Sequence, residues 1–336
     1  MSRLLRSLLS LLLVCGLLGG CVSTRLATAA ESPWQAVPLN TRSSGLDLAF
    51  SDANHGMLVG SNRLILETND GGRSWQERNL DLPAEENFRL ISIDFAGDEG
   101  WIAGQPGLVL HSTDTGRTWN RLLLTSKLPG DPYLVTALGP DQAELATTVG
   151  AIYRTDDGGG HWTALVEDAT GAVRDLRRDR TGGYVSVSSL GNFYADWKPG
   201  ETVWTPHQRP SSQRVQAMGF TPTGYLWMVN RGARLRLPDP ESTPTETGDP
   251  AFSDAVIPIT NGYGYLDLAW APDGSIWLGG GNGTLLSSRD DGATWMRDPV
   301  GQQQPSTFTR ILFVGDGKGF VLGERGNLLR WIGWPG

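Results

Sequence analysis

The chain has 336 residues, 39% hydrophobic and 19% charged, which is ample apolar material for a packed core in one large domain or two small ones. Its 44 glycines, 20 prolines and 13 tryptophans predict many short strands joined by tight turns rather than helices. A formal net charge of −8 makes nucleic acid a poor partner, and with only Cys15 and Cys21 there is neither a disulfide framework nor a cysteine metal site.

In chain order the first element is a leader. Arg3 and Arg6 supply a positive start, and "LLSLLLVCGLLGG" is an apolar run of 13 residues, too short to span a membrane. The run "LGGC" places a small-residue pair directly before Cys21 and resembles the bacterial lipoprotein cleavage box. Residues 1–20 are expected to leave as a lipoprotein signal peptide, with Cys21 lipidated as the new first residue and residues 21–31 as a flexible tether. The alternative is an ordinary signal peptide cut near "ATAA", residues 27–30. From Cys21 on, the chain keeps 26 basic and 36 acidic residues, net −10.

A repeat follows. Trp34, Trp75, Trp119, Trp162 and Trp204 are spaced by 41, 44, 43 and 42 residues, and Trp295 lies 91 beyond Trp204, or two periods. A period of roughly 40–45 residues suits a four-stranded propeller blade. Seven units start near residues 45, 88, 133, 172, 213, 264 and 308, each with alternating strand patterns bounded by Gly, Asp and Asn. No segment has a convincing helical period. The seventh unit stops after three strands, while "SPWQAVPLN" at the start has the form of a closing strand, with Trp34 in the place of Trp75. The fold class is therefore all-β: a seven-bladed β-propeller of four-stranded blades over residues 32–336, its ring closed by the N-terminal strand pairing in the last blade.

Four units carry Ser/Thr-x-Asp-x-Gly-x-x-Trp: Asp70 with Trp75, Asp114 with Trp119, Asp157 with Trp162 and Asp290 with Trp295. The motif resembles the Asp-box of sialidase-like propellers. An Asp carboxylate can accept amides within its own turn, Gly supplies a backbone closed to other residues, and Trp packs between sheets, so these aspartates read as structural. A sialidase-like glycan hydrolase or glycan-binding module is the alternative function. It would need an arginine triad and a tyrosine nucleophile with a carboxylate partner. No such arginine signature is found, and Tyr263 and Tyr265 lead into a strand with no glutamate nearby. His55, His111, His161 and His207 have no partner at metal-ligand spacing, and His161 stands for the usual Ser/Thr of a box. "GGGNG" at 279–283 does not open a helix, which argues against a phosphate loop. No catalytic, metal or cofactor site is expected.

Charge is unevenly spread. Residues 171–236 carry ten basic residues against four acidic ones, net +6, on a mature remainder of −16. Nine of the ten are arginine, the residue suited to bidentate and interfacial contacts. Arg174 and Arg214 lie at inner-strand starts, Arg231 in a turn, and Arg234 and Arg236 after it, so these five could converge. Arg177, Arg178 and Arg180 run toward the opposite end. An acidic protein segment or an anionic lipid headgroup fits this sector. Between the fifth and sixth units, "PDPESTPTETGDP" reads as an exposed insertion, after which "AFSDAVIPI" resumes as an outer strand with Phe252 replacing tryptophan.

"AVRDLRRDRTGGYVSVSSLGNFYADW", "QAMGFTPTGYLWMVNRGARLRL" and "NGYGYLDLAWAPDGSIWLGGGNGTLL" resemble the photosystem II stability/assembly factor family of cyanobacteria and chloroplasts. The resemblance runs from about Trp34 to the end. It implies a non-catalytic factor that binds newly made D1 reaction-centre protein and early assembly intermediates at the lumenal face of the thylakoid membrane. The implied contact is the arginine patch on blades four and five: Arg174, Arg177, Arg178, Arg180, Arg214, Arg231, Arg234 and Arg236. A lipid anchor at Cys21 and a monomeric state complete the expectation. Leu190 departs from the arginine expected at its place, which puts one patch position in doubt.

Overall fold

The computed structural model describes residues 26–335 except 84, 125–127, 210–213, 240–251, 254–255, 257, 259–262 and 316. Cys21 and the leader lie outside the described residues. Seven antiparallel sheets follow one another around a central channel. Their inner strands are Gly45–Phe50, Arg89–Ala96, Pro132–Gly139, Val173–Arg178, Val215–Phe220, Tyr265–Trp270 and Phe308–Val314. The second strand of each blade lies between neighbouring sheets. Stretches such as Gly56–Gly60 and Ile276–Gly280 are therefore buried at every position and apolar almost throughout, where a half-buried strand would alternate.

The ring closes as its repeat requires. Trp34–Pro38 is the outermost strand of the last sheet, with Trp34 opposite Trp331 and Pro38 opposite Asn327. The seam is aromatic: Trp34 is only 2% exposed and meets Trp331 at 5.0 Å and Trp277 at 5.3 Å, both edge to face. Pairing at this seam covers what would otherwise be an open sheet edge.

Two places depart from the sequence expectation. Leu26 to Glu31 do not run free as tether. Arg297 N–H donates to the Ala27 carbonyl and Ala29 N–H to the Arg297 carbonyl, so the segment adds a parallel bridge to the outer edge of blade six. Leu26 packs on the apolar cluster between blades five and six, which gives the chain an apolar reason to stay there. Blade five has three regular strands. Its fourth place is held by bridges of Val256 to Leu235 and Phe252 to Pro238, with Phe252 packed where a box tryptophan would sit. Among the described residues, a one-turn helix, Pro299–Gln302, capped by Asp298, departs from the all-strand pattern.

Candidate protein-binding site

Each of the seven inner strands slips register once near its start, and that of blade three slips again between Ala137 and Gly139. A bulge leaves one residue unpaired and re-aims its side chain. The residues so released are Leu46, Ile91, Tyr133, Arg174, Gln216, Leu266 and Thr309, and all seven line one mouth of the channel, around a cavity of about 320 Å³. The bulged residues at this front mouth are apolar on blades one, two and six and polar on blades four and five, and exposed Arg89 of blade two lines the same cavity.

In blades one, two, four and six the residue after the bulged one ties blade to blade. Asp47 accepts from Ile93 N–H, Ser92 from Val135 N–H, Asp175 from Met218 N–H and Asp267 from Ile311 N–H. In each case the donor lies on the next inner strand. Burial pushes the Asp47 and Asp267 carboxyls up from the ordinary carboxylate range. Arg310 stands 3.4 Å from Asp47 and Arg177 3.2 Å from Asp267, so the channel wall carries its own counter-charges.

Three of the eight expected arginines gather at the front mouth. Arg174 is the bulged residue of blade four. Its Nη2 donates to the Ser189 carbonyl at 2.7 Å and its Nη1 to Gln216 Oε1 at 2.7 Å, which fixes the guanidinium plane. Burial, then the charges of Arg231 and Arg214, hold its pKa below the usual arginine value, which places the three cations within mutual electrostatic reach. Arg231 N–H donates to the Arg214 carbonyl, so the turn after Asn230 and the entry to blade five are pinned together. None of the three is ion-paired with a described residue. Arg234 is exposed just beyond. Leu190, 60% exposed, lies in the turn of Ser189, whose carbonyl Arg174 holds.

The other four do not join them. Arg236 donates to the Ser253 carbonyl toward the outer edge of blade five. Arg177 is committed to Asp175 and Asp267 inside the channel. Burial opposes its charge, but the two carboxylates outweigh this and raise its pKa above the ordinary value. Arg178 is bound to Glu144 at 2.7 Å over the ring of Tyr184. Arg180 sits in the turn on the back face, beside Phe220 and Trp270. A single patch of eight is thus replaced by a front-face trio plus internal ion pairs, because successive strand residues point to opposite sides and the strand itself runs from front to back.

The Asp-boxes lie on the back face as closed turns. Asp70 accepts from the amides of Arg73 and Ser74 and from the hydroxyls of Thr68 and Ser74, and the Ser74 hydroxyl bond is the first of the contacts that hold its pKa down at about 2. His161 takes the Ser74 role toward Asp157, with Nδ1 at 2.6 Å, and that pair likewise holds Asp157 at about 2. Asp114 and Asp290 repeat the arrangement with Thr118 and Thr294. Trp75, Trp119, Trp162 and Trp295 pack against the core between blades.

The histidine expectation needs correcting. Folding brings each of the four to a carboxylate: His55 to Glu67, His111 to Glu99, His161 to Asp157 and His207 to Asp196. Glu99, His111 and Asp141 hold ligand atoms within 4.8 Å of one another. The same histidine–carboxylate pairing recurs at His55 and His207, where it pins adjacent strands of one blade.

Residues 26–332 match the family described as Photosynthesis system II assembly factor YCF48. The chain belongs to the YCF48 family. A relative, the Photosystem II assembly lipoprotein Ycf48 of Synechococcus sp. (strain CC9902), is 63% identical over 336 residues, covering 99% of each chain. Among solved structures, YCF48 bound to D1 peptide superposes with a TM-score of 0.87 at 44% identity, covering 93% of this chain and 98% of the other. YCF48 from Cyanidioschyzon merolae gives 0.82 at 40% identity, covering 89% and 98%. Family membership accords with the resemblance carried by "RDLRR" and "NFYADW" and with the seven-bladed fold. Tyr133 and Gln216 are the front-mouth residues of this YCF48-family chain that residue chemistry alone passed over. Aligning the seven units on their inner strands would have found both, since each holds the second position that Arg174 holds in its own blade.

Proposed function

We propose that this photosystem II assembly factor acts by binding a segment of D1 reaction-centre protein at its front mouth, through Arg174, Arg214 and Arg231, and that it does so without turnover. The observation that carries the reading is the convergence of three guanidiniums with no carboxylate partner among the described residues, beside a fixed Gln216 and the Tyr133 hydroxyl, which donates to the Arg174 carbonyl. Such a group offers charge-assisted hydrogen bonds to carboxylates or backbone carbonyls of an extended peptide. The solved relative with D1 peptide supports the partner. The relatives' description as lipoproteins supports an anchor at Cys21, which on the lumenal face of the thylakoid membrane would raise the local concentration near newly inserted D1. The saturated Asp-box carboxylates leave the back face with no free acid–base pair of that origin.

A synthetic lumenal D1 peptide titrated against the wild-type protein and the Arg174→Ala/Arg214→Ala/Arg231→Ala variant tests this. Losing even one charge-assisted bond of about 1.5–3 kcal/mol weakens binding by about tenfold or more. The melting temperature should hold within a few degrees. The Arg214→Ala/Arg231→Ala pair, which spares the Arg174 hydrogen bonds, should show the same direction of change. Equal affinity for all three proteins would refute the trio as the contact.

A further inference from the structure

The docked N-terminal segment decides how the disc can stand on a membrane. Between Cys21 and Leu26 lie four residues, and a fully extended chain over that interval spans no more than about 18 Å. A chain of this size folds to a body roughly 50 Å across. Leu26 is held on the apolar cluster between blades five and six, and Ala27 and Ala29 bond to Arg297 on the outer strand of blade six. A lipid on Cys21 can therefore be reached from the rim around blade six and not from the far side of the ring.

That rim has the surface chemistry of a membrane interface. Met296, 41% exposed, lies on the same outer strand. Ile332, 53% exposed, follows the last strand of blade seven. Sharing a groove with Met296, the Arg289 guanidinium stacks 3.6 Å above the Trp334 ring, whose Nε1 donates to Asp273. A shallow groove runs between the docked Ala29–Glu31 and Trp334. An indole with an anchored polar edge beside an arginine suits the headgroup level of a bilayer, where one side is apolar and the other wet.

We propose that the outer back edge of blades six and seven, with Met296, Ile332, Trp334 and Arg289, lies against the lipid surface, so that the docked segment turns the Cys21 anchor from a loose leash into a fixed attachment that seats the propeller on that edge. This rests on the reading of Cys21 as lipidated. Seating on this back edge keeps the front mouth clear of the lipid, open to a peptide segment that emerges from the membrane.

The test uses the lipidated full chain on vesicles of phosphatidylcholine and phosphatidylglycerol, with single nitroxide labels introduced by Ile332→Cys, Met296→Cys and Leu123→Cys. Leu123, 88% exposed, is on blade two, across the ring. In floated protein the labels at 332 and 296 should show several-fold higher oxygen-to-nickel accessibility ratios than the label at 123. Ala29→Pro removes the amide that holds the segment to Arg297. It should leave flotation unchanged and abolish that difference. Equal, water-like ratios at all three positions in floated wild-type protein overturn the orientation while leaving the anchor standing. Failure to float overturns the anchor and the orientation with it.

Discussion

Two kinds of aspartate in this chain show how environment sets chemistry. Asp70 and Asp157 stand at the surface, hydrogen-bonded in closed turns, and ionise at about 2. Asp94 sits in the channel wall, where burial pushes its carboxyl up to about 7 despite bonds from the Phe95 and Ala137 amides. Between its ordinary value of 3.8 and about 7 the folded chain holds a proton there that the unfolded chain has released. The unfolded state binds fewer protons over that interval, so this group makes stability fall as the pH rises through it. Asp94→Asn cannot ionise. It should be less stable overall, because the amide nitrogen would face the Ala137 N–H, yet its melting temperature should decline less between about pH 4 and pH 7 than the wild type does. Thermal melts at a series of pH values check this, and parallel profiles would remove Asp94 as the source.

At the scale of elements, the bulges and the closing strand are decisive. The bulged residue of each inner strand is swung into the front mouth, and in blades one, two, four and six the residue after it is latched to the next blade, so one repeated local irregularity builds the collar and much of the hoop. The closing strand seals the hoop. Trp34→Ala empties the aromatic seam among Trp277, Phe313 and Trp331 and should cost about 3–5 kcal/mol in a urea titration. Amide exchange should accelerate first at Leu328 and Leu329, which face the N-terminal strand. Exchange rising evenly over all blades instead would mean that closure is not a separable unit. Strand periods and the missing fourth strand made this closure legible in advance. The docking of Leu26–Ala30 was not, since a short Ala-rich stretch has no strand pattern and its partner edge is some 270 residues away.

For the whole molecule, the distribution of charge matters more than its sum. The chain is acidic, yet its front mouth gathers Arg174, Arg214 and Arg231. Exposed cations of this kind steer an anionic segment over a distance that salt sets, from about 30 Å at 0.01 M to about 8 Å at 0.15 M. Peptide binding should therefore weaken steadily over that range of ionic strength in the wild type and far less in the triple alanine variant. A salt-independent affinity would place the contact on the apolar half of the mouth, around Leu46, Ile91 and Leu266.

Repeat period, strand alternation and turn motif are local properties of the chain, and they suffice to determine seven blades, their order and their closure. The roles of single arginines are not local. Arg174 and Arg177 are three residues apart on one strand, but a bulge turns the first to the mouth while Asp267, 90 residues from Arg177, draws the second into an ion pair. Only packing around the ring decides which cations are left free for a partner, because a buried charge must be matched by whichever opposite charge the fold brings near.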